Sequence, residues 1–463
     1  MSNAVTLDKG LKLQVSIAPP PTSTTLDGIT ADGTFKDISA LVVGFKYWES
    51  ITQLFVQAEL EILDGSGKIN NIFQPSDKCG IRKYCAVAVS FPDPMGNTPA
   101  FDSLGRGPDI LDFTGNKVFY VSQIVEQVKR DKKDYYKLRL FTKNAIVNSH
   151  RKVIKSYTGR FDSIISDVVI NDLKSTKTLS TQTVENTQPV RKYLAQNILI
   201  SNIIDYACRK SQSTSETTAS TTTTVTADSV DTKTVGYTFY EDYDSLHFRP
   251  LYKLIQPGTN VSIPTSNQYE YLPRQPGDET LKAAQKIIAI SFNRGDRTAD
   301  AFTDAATGST GVTRVKIRDA VSNLYTTEAC LPNIKNPCDV YKFEGDTNSI
   351  QYINIELSKE DTQFQNECTS DGQTTQTPMS KKSYDSILEY IRTNTATAVV
   401  PGNLTLRAGE YLIINIGVSE TESTSNYTPK YQVFLITSLC HRLTNVNKVY
   451  TDLELYGIRT IPT

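Results

Sequence analysis

Between Gln53 and Ile62 the chain alternates between polar and apolar residues. Leu54, Val56, Ala58, Leu60 and Ile62 fall on one side of an extended backbone. Gln53, Gln57, Glu59 and Glu61 lie opposite, with Phe55 the one apolar exception. Successive side chains of a strand point to opposite faces, so this pattern specifies a half-buried strand. It stops at Asp64-Gly65-Ser66-Gly67, a strong turn signal. With Lys68, that turn has the outline of a phosphate loop. The spacing is wrong, however, and Ile69 stands where a hydroxyl would be needed for magnesium, so a plain turn is expected.

Other strands follow: Ala86 to Phe91, Val118 to Val125 and Tyr135 to Phe141. The run Lys129-Arg130-Asp131-Lys132-Lys133-Asp134 reads as a solvated hairpin tip rather than a nucleic-acid patch. The loop from Pro92 to Pro108 carries Met95, Phe101 and Leu104, which suggests packing on a neighbour. Residues 31–150 are therefore expected to be all-β, closing as a small antiparallel barrel or sandwich. Residues 1–30, with Pro19, Pro20 and Pro21, read as an extended arm.

The middle, 151–250, changes period. Phe161, Ile164, Ile165, Val168 and Val169 recur at helical spacing and predict a helix over 160–174. Ile200, Ile203, Ile204 and Ala207 predict another over 198–210. The segment 212–230 is nearly all Thr, Ser and Ala, a composition that cannot bury a core and reads as a flexible insertion. Tyr237 to Tyr240 and Leu246 to Phe248 flank Glu241-Asp242-Tyr243-Asp244, a hairpin with an acidic, solvated turn. Beyond it come a strand from Ile287 to Phe292 and a polar stretch, 293–311. A low-complexity loop over 359–380 precedes a helix over 382–393 with Tyr384, Ile387, Leu388 and Ile391 on one side. The chain then returns to strands at Thr405, 411–416, 432–439 and 449–456.

One internal likeness stands out. Phe119-Tyr120-Val121-Ser122-Gln123-Ile124 leads through a polar turn to Tyr136-Lys137-Leu138-Arg139-Leu140-Phe141. Val433-Phe434-Leu435-Ile436-Thr437-Ser438-Leu439 leads likewise to Thr451-Asp452-Leu453-Glu454-Leu455-Tyr456. Two long hairpins that each end an all-β region suggest two barrels of one kind. The expected fold class is mainly β with an α/β middle domain: two antiparallel β-barrels and an inserted α+β region. The first barrel takes 31–150 and the middle domain 151–250. The second barrel takes 251–300 and 381–463, and 301–380 is an insertion packing with the middle domain.

Chemistry-bearing motifs are absent. Lys and Arg number 49 and Asp and Glu 50, so charge gives the chain no reason to seek nucleic acid or an anionic membrane. The seven cysteines are scattered. Cys79 and Cys85, and Cys330 and Cys338, are close without a C-x-x-C spacing, and His150, His247 and His441 lie far apart. Free thiols in a reducing compartment are the expectation, with pairing of Cys330 and Cys338 left open and no metal site. Glu241, Asp242 and Asp244 are the densest carboxylates, but neighbours on a tight turn point apart, which disfavours glycoside hydrolysis. Trp48, the only tryptophan, sits in a strand-like context and is expected in a core. The N-terminus shows no signal-peptide pattern and no stretch has the length of a membrane-spanning helix. The expectation is a protein that is not an enzyme, with no catalytic, cofactor-binding or metal-binding residue.

An ordered series of segments carries a family resemblance. The series is Leu63-Asp64-Gly65, Gly67-Lys68-Ile69-Asn70-Asn71 and the strand around Val87 to Phe91. It continues with the hairpin leading to Asn144 to Lys152, the helix at Phe161-Asp162-Ser163-Ile164-Ile165, and the helix at Ile198 to Arg209 after Pro189. It closes with the hairpin Tyr237-Thr238-Phe239-Tyr240-Glu241-Asp242 to Leu246-His247-Phe248-Arg249, and with Gly402-Asn403-Leu404-Thr405-Leu406-Arg407-Ala408-Gly409-Glu410. In that last segment Gly409 can take a positive φ between two strands. The series resembles the baseplate hub proteins of contractile-tailed bacteriophages, related to the hub part of type VI secretion spike proteins.

The resemblance implies a structural virion protein: a homotrimer of chains with two tail-tube-like barrels each. Its six barrels would join a sixfold tail tube to a threefold central spike, with interfaces well over ~2,000 Å². It implies as partners the spike protein, a tail tube or tube-initiator protein and baseplate wedge proteins. No nucleic-acid contact is expected beyond DNA passing through the channel, and no membrane. The place would be the virion tail baseplate, assembled in the host cytoplasm. The chain reaches Thr463 without a β-helix or a lysozyme-like segment, so spike and wall-degrading activity are expected on other chains. A hub of a non-phage contractile injection system, or a glycan- or receptor-binding tail protein, is the alternative.

Overall fold

A computed structural model of the chain describes residues 13–21, 34–73, 80–90, 111–130, 133–180, 185–188, 190–213, 236–255, 263–264, 267–271, 287–294, 313–319, 325–330, 351–357, 388, 391, 394–415, 418–419, 427–428, 431–444 and 449–461. Most described strands belong to one 14-stranded sheet, almost wholly antiparallel.

Its first half is built from β1 (Gln14–Ala18), β2 (Val42–Ser50), β3 (Gln57–Asp64), β4 (Ala86–Ser90), β5 (Phe119–Arg130) and β6 (Lys133–Phe141). They lie in the order β2-β3-β6-β5-β4-β1. Val56, Ala58, Leu60 and Ile62 point into one core with Phe45, Val87, Val89, Leu138 and Leu140, as the alternation requires. Phe55 packs into a different core, which explains its break from the pattern. At the turn after β3, the Asp64 carboxylate accepts the Ser66 N–H at 2.9 Å and the Ile69 N–H at 2.7 Å.

Three expectations are corrected here. The arm is in part a strand: β1 pairs with β4, and Val15 and Ile17 are buried, because Gln14-Val15-Ser16-Ile17 alternates. The β5–β6 ladder runs on through Lys129↔Asp134 and Arg130↔Lys133, so most of the charged run is strand rather than tip. Trp48 is half-buried, because Tyr47 and Phe45 take the inward positions of β2. The loop from Pro92 to Pro108 lies outside the described residues.

The middle region holds α1 (Lys143–His150), β7 (Lys152–Gly159), α2 (Phe161–Asp167), β8 (Arg191–Leu199), α3 (Ile200–Lys210), β9 (Tyr237–Glu241), β10 (Leu246–Pro250) and α4 (Leu251–Ile255). α2 continues as a π-helical turn, Val168–Asp172. All the apolar positions foreseen on α2 and α3 are buried in a common core with Tyr237, Phe239 and Phe248 of the β9–β10 hairpin. Leu388 and Ile391 pack on the same core. They are the described part of the helix expected over 382–393; Tyr384 and Ile387 lie outside it. Gln212–Ser213 pairs with Thr187–Gln188, and 214–230 lies outside the described residues.

The second half of the sheet comprises β11 (Ala289–Arg294), β12 (Asn394–Pro401), β13 (Tyr411–Asn415), β14 (Tyr431–Thr444) and β15 (Val449–Ile461), around a core of its own. Thr405 lies in a turn, not a strand. The order is β11-β12-β15-β14-β13. This is the order β2-β3-β6-β5-β4 repeated, strand for strand and in the same chain sequence. Register aligns Leu60 with Ala398, Leu138 with Leu453, Val87 with Leu412, Phe119 with Phe434 and Tyr47 with Phe292. The same bulge recurs, the ladders skipping Ser122 in β5 and Thr437 in β14. The two halves meet because β14 is long: residues 431–435 pair with β13 while 438–444 pair with β2.

Among the described strands neither half closes as a barrel; the expected pair of barrels appears as two repeated units of one open sheet. Residues 313–319, 325–330 and 351–357 form a separate three-stranded sheet. Cys330 ends one of these strands, while Cys338 and residues 359–380 lie outside the described residues. On the sheet face away from the cores, charges are paired: Glu59 bridges Lys46 and Lys137 at 3.1 Å each, and Arg442 meets Asp452 at 3.2 Å.

Candidate functional site: a buried ionic junction

Where the two sheet units meet the β9–β10 hairpin, buried polar groups converge from distant parts of the chain. The side chain of Glu49, at the end of β2, has no exposed surface. One carboxylate oxygen accepts the Tyr47 hydroxyl at 2.6 Å and the Tyr243 N–H at 3.0 Å; the other accepts the Ala408 N–H at 3.0 Å. Arg407 Nε stands 3.9 Å from Glu49 and 3.8 Å from Asp244. Its guanidinium donates to the Leu404 and Leu406 carbonyls and lies 5.0 Å from the centre of the Tyr243 ring. Lys117 sits 3.7 Å from the same ring centre, and the Tyr243 hydroxyl donates to the Asp112 carbonyl.

A second knot lies beside it. Glu241 accepts from Val56 N–H at 3.2 Å, the Thr142 hydroxyl at 2.9 Å and Asn144 Nδ2 at 3.1 Å, and pairs with Lys177 at 3.0 Å. The acidic turn is therefore not solvated at Glu241 or Asp242, which are 1% and 6% exposed; only Asp244 is open. Burial of a carboxylate is tolerated when donors and a cation satisfy it, and these come from the residue before β3, the start of α1 with the residue before it, and the segment after α2. None is near in sequence.

Burial pushes the Glu49 carboxyl up to about 7, against Arg407 and with Asp242 adding to the push. Burial would also raise Asp242, but the His247 ring, the Ser245 N–H and Arg407 outweigh it and hold it at about 2. His441, buried in β14 with Nδ1 against the Thr451 hydroxyl at 3.0 Å, is pushed down to about 3 by burial and by Arg407. Gly409 follows Arg407 at φ +81°, as expected from the sequence. A side chain there would also overlap the Tyr240 hydroxyl, a close approach that the sequence did not reveal.

Ser245, His247 and Asp242 resemble a nucleophile, base and orienting acid. His247 Nε2 contacts both the Ser245 hydroxyl, at 3.0 Å, and Asp242, at 2.7 Å. A relay needs the acid on one ring nitrogen and the nucleophile on the other, so this arrangement caps a turn and cannot activate the serine. His150 lies elsewhere, against the Tyr84 hydroxyl. Among the described residues no three metal-ligating side chains converge, and no helix is long and apolar enough to cross a membrane. Cys85, Cys208 and Cys440 are buried free thiols. The junction's chemistry is electrostatic: it ties three chain segments together.

No family model matches the chain, and no curated protein matches it. Solved structures do. It is similar to the 43 kDa tail protein of prophage MuSo2 from Shewanella oneidensis, at TM-score 0.47 and 10% identity over 96% of this chain and 98% of that one. It is similar to a tail protein from Neisseria meningitidis MC58, at TM-score 0.48 and 10% identity over 96% of each chain. A third is an Escherichia coli component of the type VI secretion system, at TM-score 0.39 and 8% identity over 90% of this chain and 74% of that one. These neighbours are proteins of phage tails and of a type VI secretion system.

Proposed function

We propose that the chain is the baseplate hub of a contractile phage tail, a homotrimeric ring that joins a sixfold tail tube to a threefold spike. One observation carries the reading: the five-strand order β2-β3-β6-β5-β4 recurs as β11-β12-β15-β14-β13 within one chain. A chain with two like units gives three copies six like units, which is what a sixfold-to-threefold adaptor needs. The first unit corresponds to residues 31–150 extended by β1. The second takes 251–300 and 381–463, and the middle region 151–250 serves as the outward domain that grips other baseplate proteins.

The junction at Glu49 and Arg407 suits such a role. It fixes the first unit, the hairpin and the second unit in one orientation, so that the ring is rigid. The sheet face bearing Lys46, Glu59, Lys137, Arg442 and Asp452 becomes the channel wall. Its paired charges offer a passing polyanion no strong hold. Function lies in interfaces, without a reaction. Light scattering of the purified full-length chain tests this: three times the chain mass supports it, and monomer at every concentration contradicts it.

A further inference from the structure

The β7–β8 ribbon is a two-stranded sheet with helices on one face only. Its inner face, with Val153, Tyr157 and Ala195, packs on α2 and α3 in the middle-region core. The outer face carries Lys152, Ile154, Ser156 and Thr158 from β7, and Lys192, Leu194 and Gln196 from β8. A sheet face in water ordinarily presents polar residues. Here Ile154 is 78% exposed and Leu194 57%, and Val190, two residues before Lys192, is 59% exposed. Ile154 pairs with Gln196 and Ser156 with Leu194, so Ile154 and Leu194 are diagonal neighbours on this face.

The charge around them has one sign. Neither strand contains Asp or Glu. Lys155, on the inner side, pairs with Asp167, whereas Lys152 and Lys192 have no carboxylate partner among the described residues. On the large sheet, by contrast, Lys46 and Lys137 share Glu59. Lys152 lies opposite Leu199, and Lys192 opposite Thr158, six residues further along β7. The two cations therefore flank the apolar centre about 20 Å apart, which a helix of about 13 residues spans.

We propose that the outer face of the β7–β8 ribbon docks an amphipathic helix of another protein, its apolar stripe over Ile154 and Leu194 and carboxylates near its two ends against Lys152 and Lys192. Charge complementarity selects an acidic partner, and a helix on this face would complete the layer that α2 and α3 form on the other. Two cations are too few to hold the chain on an anionic membrane. The proposal deepens the hub reading, in which the middle region grips other baseplate proteins, and rests on it for the partner being one of them.

A fluorescein-labelled helical peptide of about 15 residues, with leucines along one face and glutamates at both ends, is the probe. By fluorescence anisotropy the full-length wild type is expected to bind it at least about tenfold more tightly than the same peptide with lysine ends. Ile154→Lys is expected to weaken binding of the glutamate peptide at least about tenfold, with an unchanged circular dichroism spectrum. Lys152→Glu combined with Lys192→Glu is expected to reverse the preference between the two peptides. No binding by the wild type, equal binding of the two peptides, or a preference that survives the charge reversal overturns the proposal. Binding to phosphatidylglycerol vesicles that Ile154→Lys abolishes also overturns it, as does trimer formation that Ile154→Lys abolishes, since each gives the face to another occupant. Light scattering separates the two readings. A trimeric wild type that ignores the glutamate peptide overturns the docking alone, and a wild type that is monomeric at every concentration overturns the hub reading.

Discussion

Tyr47 and Phe292 occupy the same position in the two repeated sheet units, yet Tyr47 is fully buried and Phe292 is 40% exposed. The difference has a local cause. β14 lies along the free edge of β2 and places His441 opposite Tyr47, whereas no described strand lies along the free edge of β11.

Glu49→Gln has a pH signature. In the folded chain the Glu49 carboxyl is raised to about 7 from an ordinary value near 4.5. The folded state therefore holds the extra proton between these values, and ionisation costs stability as pH rises through that window. Glutamine mimics the protonated form. The melting temperature of Glu49→Gln relative to wild type is expected to rise from pH 4.5 to pH 7.5; a difference independent of pH contradicts this account.

His441 works in the opposite sense. Its folded value is depressed to about 3 from an ordinary 6.5, so the unfolded chain binds the extra proton and stability falls as pH drops below about 6.5. His441→Gln should weaken that acid sensitivity between pH 6 and pH 4, as read from urea midpoints. Over pH 4.5–6.5 the two groups offset each other in the wild type, so the single variants reveal slopes of opposite sign.

Lys177→Met removes the cation beside Glu241, whose side chain has no exposed surface. Breaking a buried pair by removing one partner costs about 3–5 kcal/mol. The three donors that remain to Glu241 place the expected loss near the lower end. Urea denaturation measures it; a loss below about 1 kcal/mol would mean that the pair is solvated.

Gly409→Ala combines a positive φ with overlap on the Tyr240 hydroxyl. A destabilisation of about 1–3 kcal/mol is expected. Adding Tyr240→Phe should recover part of it, because the overlapping atom is that hydroxyl. No recovery in the double variant would assign the whole cost to backbone strain.

Local pattern made the strands of the first unit and the helices at Phe161 and Ile200 legible, because period 2 and period 3.6 are written in neighbouring residues. The same signal in Gln14-Val15-Ser16-Ile17 was overshadowed by the prolines that follow. The repeat was legible as two hairpins; the matching strand order was not, since the long stretch 295–393 separates β11 from β12. The junction was hidden for another reason. Glu241 and Asp242 look like any acidic turn until Lys177, Thr142, Asn144 and Arg407 are brought to them by the fold. Phe55 was the one hint, an apolar residue on a polar face that marks a second core beside the strand.

Electron microscopy of the purified full-length chain tests the central claim most directly. The account predicts a closed ring of three chains, with one face showing six like sheet units. A twofold dimer, or single chains at all concentrations, would contradict it.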